Sequence, residues 1–325
     1  MKRRTVLKGL AALTAARHLP LGAQESPTRL VLLGTQGGPN FNVLRGEAAN
    51  VLVIDGRLYM IDCGYGALAA LVRAGLRYTF VDQVFLTHLH DDHSADLPSL
   101  IGHQWSDGRI APVGIHGPAG TERLVAAALD FNAVNEEIRL VDEARSVRLR
   151  DLFSAEDVVT GSEPVRVFAD ARLEVTAIEN THYPAESKAR MPHRSIAYRC
   201  TSRDRSIVFS GDTAVSPALV RLATGADVLV CETMEVELMR KAFDVRVAAG
   251  AYADNPEGIW HHIVTTHTTT EQAGEMAAAA GVKTLVLSHL VPGALAPDVA
   301  DDVYAAGARR HFDGEIVVGR DQLSL

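Results

Sequence analysis

Residues 87–93 read Thr-His-Leu-His-Asp-Asp-His. His88, His90, Asp91, Asp92 and His93 crowd imidazoles and carboxylates into a single turn. Left unpaired, such groups are costly to bury, so a folded cluster needs a charged partner to hold it together. A divalent ion does this. Mixed imidazole and carboxylate donors suit zinc first, with manganese or iron(II) as the other choices. The metal reading makes a demand on the rest of the chain, which has to supply the missing ligands.

It does so at the ends of apolar β-runs. His88, His90, Asp92 and His93 follow the run 81–88, and His182 closes the run 172–181. Asp212 follows 206–210 in Phe-Ser-Gly-Asp-Thr, and His289 follows 284–288 in Leu-Ser-His-Leu. Strands laid side by side would bring these ends to one rim. Seven ligands suit two ions. His88 and His90, two apart in an extended segment, face one ion with His182. Asp92, His93 and His289 face the second, and Asp212 bridges.

The positioning elements can be read from periodicity and turn chemistry. Residues 28–35, 49–56, 57–64 and 81–88 read as strands, with a hairpin turn at Asp55-Gly56. Helical patterns cover 66–76, 97–105 and 121–133, the last with Thr121 as its cap. Residues 195–213 form a second hairpin, and 216–233 and 269–290 each run helix then strand. Residues 315–325 make a final strand, and the charged stretch 134–172 gives no clear pattern. Antiparallel strands followed by helix–strand units, given twice, predict an α/β protein built as an αββα sandwich.

Hydrophobic residues make up 47% of the 325 positions and charged residues 22%, values of a chain with a packed core. The start, Met-Lys-Arg-Arg-Thr-Val-Leu-Lys, resembles a twin-arginine export signal ending at Ala23. That predicts a leader over residues 1–23 handed to the twin-arginine machinery. A single catalytic domain would follow over residues 24–325, in a periplasmic or secreted protein without stable membrane insertion. Taking Lys2, Arg3, Arg4, Lys8 and Arg17 from the 32 basic residues leaves 27 against 40 acidic, a formal charge of −13. A surface of that sign argues against a nucleic-acid partner. Cys63, Cys200 and Cys231 lie in apolar runs without metal or disulfide spacing and read as core residues.

Taken in order, Thr-His-Leu-His-Asp-Asp-His, Thr-His-Tyr, Ser-Gly-Asp-Thr and Ser-His-Leu resemble the metallo-β-lactamase fold superfamily over nearly the whole chain beyond Leu30. The resemblance implies that Asp62 braces the ligand loop. Asp212 stands where lactamases proper carry Cys or Ser. The stretches Val-Cys-Glu-Thr and His-Thr-Thr-Thr resemble the arylsulfatase-like and tRNA 3′-processing endonuclease-like branch. There Glu232 and His267 would form a pair that protonates the leaving oxygen, and with Asp92 they complete the catalytic groups. The long basic arm of the tRNA enzymes has no counterpart in the 29 residues between His182 and Asp212, and the usual Arg after the last motif is missing. The resulting expectation is an exported hydrolase in which a hydroxide held between two divalent ions attacks a small-molecule ester, an aryl sulfate or phosphodiester. Rival readings within the fold are a lactonase or β-lactamase and an iron-dependent oxidoreductase. Residues 234–266 would form an apolar lid, and a homodimer is left open.

Overall fold

Asp55 and Gly56 both adopt left-handed backbone, at φ 48° and 76°, the geometry of a tight two-residue turn whose twist matches its flanking strands. They join β2 (Ala49–Ile54) to β3 (Arg57–Ile61) in the computed structural model, which describes residues 27–40, 42–293 and 300–325. The expected leader over residues 1–23 lies outside the described residues.

The hairpin is the start of a six-stranded sheet in the order β1 (Arg29–Gly34), β2, β3, β4 (Val81–Phe85), β5 (Val113–Gly117) and β6 (Phe153–Asp157). The first three strands are antiparallel and the rest parallel. A seven-stranded sheet holds β7 (Val165–Ala169), β8 (Leu173–Glu179), β9 (Ile196–Ser202), β10 (Ser206–Phe209), β11 (Val228–Met234), β12 (Thr284–Val291) and β13 (Glu315–Val318) in sequence order. It too is antiparallel through β10 and parallel thereafter.

Alternation along the strands divides the core into layers. Leu30, Leu32, Tyr59 and Phe85 meet Val175, Tyr198, Ile207 and Val230 between the sheets. On the outer face of the first sheet, Val31, Leu33, Met60 and Val84 pack under helices Ala67–Arg73, Leu97–Ser106 and Thr121–Phe131. On the other side Val208, Leu229, Leu285 and Leu287 pack under Pro217–Ala223, Thr270–Ala280 and Asp301–Ala308. Strands buried on both faces explain the near-continuous apolar runs in the sequence. Each fully buried Leu or Val stabilises the sandwich by about 1.5–3 kcal/mol. The expected αββα sandwich is the observed fold.

The structure resolves the stretch that gave no pattern. Residues 134–172 hold helix Ala133–Asp142, then β6 and β7, the outer strands of the two sheets. The expected last strand is shorter than 315–325. After β13 the chain turns, and Leu323 and Leu325 bond with Leu30 and Leu32, covering the open edge of β1. Among the described residues no helix is long and apolar enough to cross a membrane.

Candidate metal centre

Because β8, β10, β11 and β12 run the same way in one sheet, their C-terminal ends share an edge, and β4 of the other sheet delivers residues 88–93 to the same edge. The loop after β4 turns at His90 into a single helical turn, Asp91–Ser94, that aims Asp92 and His93 inward. His88, His93, His182, Asp92, Asp212 and His289 are all buried, and His90 partly so.

The donor atoms fall into the two expected groups, with His88, His90 and His182 in one and Asp92, His93, Asp212 and His289 in the other. His90 Nδ1 lies 3.0 Å from His88 Nε2 and 3.4 Å from His182 Nε2. His289 Nε2 lies 3.2 Å from both Asp92 Oδ2 and Asp212 Oδ1, and His93 Nε2 lies 3.1 Å from Asp212 Oδ1. Asp212 Oδ2, facing the other way, is 3.8 Å from His88 Nε2, so this carboxylate stands between the groups. Ligands held tetrahedrally at ~2.0–2.1 Å from an ion sit about 3.3 Å from one another, which is the spacing observed.

An independent observation fits the same ions. His93 Nε2, Asp212 Oδ1 and His289 Nδ1 are buried without a hydrogen-bond partner. Orphaned buried polar atoms are costly, and a cation between His93 Nε2 and Asp212 Oδ1 would satisfy both. Burial holds His88 and His182 well below the ordinary imidazole value, leaving neutral rings with free lone pairs. Burial alone would raise Asp92 and Asp212, but His93 and His289 beside them keep both carboxyls low and ionised.

Outer contacts fix the rings. Asp62 accepts from Thr87 N at 2.7 Å and lies 2.9 Å from His93 Nδ1, which leaves His93 Nε2 for the centre. His182 Nδ1 is 3.2 Å from the Thr266 carbonyl, so its Nε2 is likewise turned inward. His289 has φ 45° and is skipped in the register between β11 and β12, where Glu232 faces Ser288 and Thr233 faces Leu290. This bulge swings its ring onto Asp92 and Asp212. Gly38 donates its N–H to Asp92 Oδ2 at 2.9 Å, and a Cβ there would lie 2.2 Å from that oxygen.

The Glu232–His267 pair also forms, with His267 Nδ1 2.8 Å from Glu232 Oε2. Glu232 is held in turn by the N–H of Thr213. Burial alone would lower His267, but the Glu232 carboxylate, with Asp212 nearby, raises it to about 9, so the ring carries a proton at neutral pH.

No motif in the sequence singles out His262. The structure places it on the wall of a cavity beside the centre, its ring 5.5 Å from that of His182 and 5.7 Å from that of His267. Its signal was helical spacing, since Ile259, His262, Ile263 and Thr266 share one face of helix Pro256–Thr266. Tyr183, its hydroxyl 3.5 Å from His90 Nε2, was also missed. The three cysteines are free and buried, as expected.

The chain is similar to known proteins. A family profile described as "Beta-lactamase superfamily domain" matches residues 57–290. "Ribonuclease Z" of Mycobacterium avium (strain 104) is 29% identical over 296 residues, covering 90% of this chain and 95% of the relative. Among solved structures, human tRNase Z, short form, superposes with a TM-score of 0.64 at 20% identity, covering 91% of this chain and 98% of the other. Zn(2+)-bound PqqB from Methylobacterium extorquens gives 0.59 at 17% identity, covering 91% and 99%.

These relatives correct two expectations. A small-molecule ester as the substrate and the absence of a nucleic-acid partner both conflict with end-to-end relatives named as ribonucleases. The charge argument failed because a net value sums the whole surface, whereas binding depends on the local field at one face. The missing basic arm concerned one insertion, and the likeness runs through nearly all of the chain.

Proposed function

This chain belongs to the beta-lactamase superfamily and is a metal-dependent hydrolase of ester bonds, and we propose that it cleaves a phosphodiester of RNA, with the 3′ region of transfer RNA as the substrate class. The observation that carries this reading is the Glu232–His267 pair on the rim of the centre. An RNA phosphodiester expels an alkoxide, a strongly basic leaving group that needs a proton as it departs. An activated aryl ester does not. His267, protonated and steadied by a buried carboxylate, suits the harder task. The end-to-end likeness to proteins named Ribonuclease Z supports the same choice.

His88, His90 and His182 would hold one divalent ion, and Asp92, His93 and His289 the other, with Asp212 reaching both. We propose zinc, which the imidazole-rich donor set favours. Such ions, when bound, supply Lewis acidity at the phosphoryl oxygens and lower the pKa of water. The chain's own part is positional. Asp62 and the Thr266 carbonyl fix ring orientation, the Gly38 N–H steadies Asp92, and His267 delivers a proton to the leaving oxygen. Helices Val236–Ala248 and Pro256–Thr266 link Glu232 to His267, and we propose that they serve as a lid.

The twin-arginine leader is a separate proposal, checked by N-terminal sequencing of protein from fractionated cells. It bears on where the enzyme works and leaves open which bond it cleaves.

An end-labelled tRNA transcript with a 3′ extension tests the reading. The metal-loaded protein should cut it at one position, and Asp212→Ala should not. An intact transcript under conditions where the protein hydrolyses another ester would refute it.

A further inference from the structure

The metal centre does not end at its ligands. A cavity of about 290 Å³ opens directly beside His90, Asp92, Asp212 and His267. Asn40, Asp91 and His262 add polar groups, but most of the remaining wall is apolar or aromatic, with Pro39, Met239, Tyr252, Ile259 and Ile263. A phosphodiester and its sugar are polar and call for none of this surface. The wall therefore serves a flat, apolar part of the substrate.

We propose that this cavity is a nucleobase subsite that takes one unstacked base next to the scissile phosphate, an inference that rests on the RNA reading above. Three features support a base over a formless apolar group. Tyr252 is a rigid aromatic wall, its ring stacked on Phe243 at 5.3 Å and 9° and its hydroxyl accepting from Asn40 Nδ2 at 3.2 Å. The residue sits at φ 60°, a conformation that non-glycine residues adopt only where the surroundings enforce it. His262 adds a polar edge. Its Nδ1 is engaged by Thr266 Oγ1 at 3.2 Å, which leaves Nε2 for a partner. Size is the third feature. The volume is at the low end of ligand pockets, enough for one base and part of its sugar and too little for a duplex. Proteins read single-stranded RNA in this manner, by stacking a splayed base on an aromatic side chain and hydrogen-bonding its edge.

The lid thus becomes a specificity element. It connects Glu232 to His267, so a base seated against Tyr252 and Ile263 would be tied to the placement of the proton donor.

Calorimetry on the metal-loaded protein tests this with the four nucleoside 5′-monophosphates and ribose 5-phosphate, which carries the same phosphate and no base. The subsite predicts that at least one nucleotide binds tenfold or more tighter than ribose 5-phosphate. Ile263→Trp, which fills the cavity, and Tyr252→Leu, which removes the ring without filling it, should each shrink that gap severalfold. Metal content and melting temperature would show that both variants are folded. A second arm replaces each nucleotide flanking the cut with an abasic one, and KM should rise about tenfold at one of them. Equal binding of nucleotides and ribose 5-phosphate overturns the subsite whether or not RNA is cut. A tenfold gap in a protein that cuts no RNA supports the subsite and refutes the RNA reading, so the two failures are distinct.

Discussion

His267 Nδ1 lies 2.8 Å from Glu232 Oε2, and the two residues are 35 positions apart in the chain, joined by helices Val236–Ala248 and Pro256–Thr266. A carboxylate this close fixes the ring and, with Asp212 nearby, raises it to about 9, so the ring holds a proton to give. His267→Ala should therefore lower kcat on RNA by roughly 10²–10⁴-fold. On bis(p-nitrophenyl) phosphate, whose leaving group is stable without a proton, the loss should be under tenfold. Steady-state rates on the two substrates check this, and equal losses would remove the proton-donor role.

The Asp212 carboxylate faces both ligand groups. Asp212→Ala should drop the metal content from two ions per chain to at most one, measured by elemental analysis after dialysis. Retention of two ions would show that it does not bridge.

Asp62 touches no proposed ion, yet it holds Thr87 and His93. It sits at φ 59°, which Asn tolerates, so Asp62→Asn should fold. Removing this kind of outer contact typically costs about 10–100-fold in metal affinity. Competition with a chromophoric chelator reads that loss, and an unchanged affinity would reduce Asp62 to a turn residue.

Gly211 precedes Asp212 with φ 57°, and a Cβ there would meet Thr87 Cβ at 2.7 Å. Gly211→Ala combines a left-handed alanine with a clash against backbone-anchored atoms. It should cost at least about 2 kcal/mol in stability, seen as a lowered urea midpoint. A neutral result would mean that this loop is looser than its packing indicates.

Stripping the ions should also destabilise the protein, because His93 Nε2 and Asp212 Oδ1 are left as unpartnered buried atoms. A chelator should lower the melting temperature by several degrees, and added zinc should restore it.

The ligand set was legible because metal donors stood at the ends of strongly apolar strands, where few other pressures place His and Asp. The αββα order was legible for a related reason, since β-runs such as Leu30–Leu33 are buried on both faces. The outer strands β6 and β7 were not. They are five residues each, partly exposed and charged, so neither period stands out. Thr121 was expected to cap its helix, but Gly120 holds that position at φ 109° and Thr121 Oγ1 turns back to the Pro118 carbonyl. His262 was hidden because a lone imidazole on a helix carries no sign of what it faces. The substrate was misjudged for a different reason, because composition reports the average surface and specificity is set at one cleft.

The most direct test compares kcat/KM of the zinc-loaded protein on a 3′-extended tRNA transcript with that on bis(p-nitrophenyl) phosphate. RNA cleavage as the true activity predicts a value for the transcript at least 10³-fold higher, lost in Asp212→Ala. Turnover of the activated ester with no cut in the transcript would contradict the account.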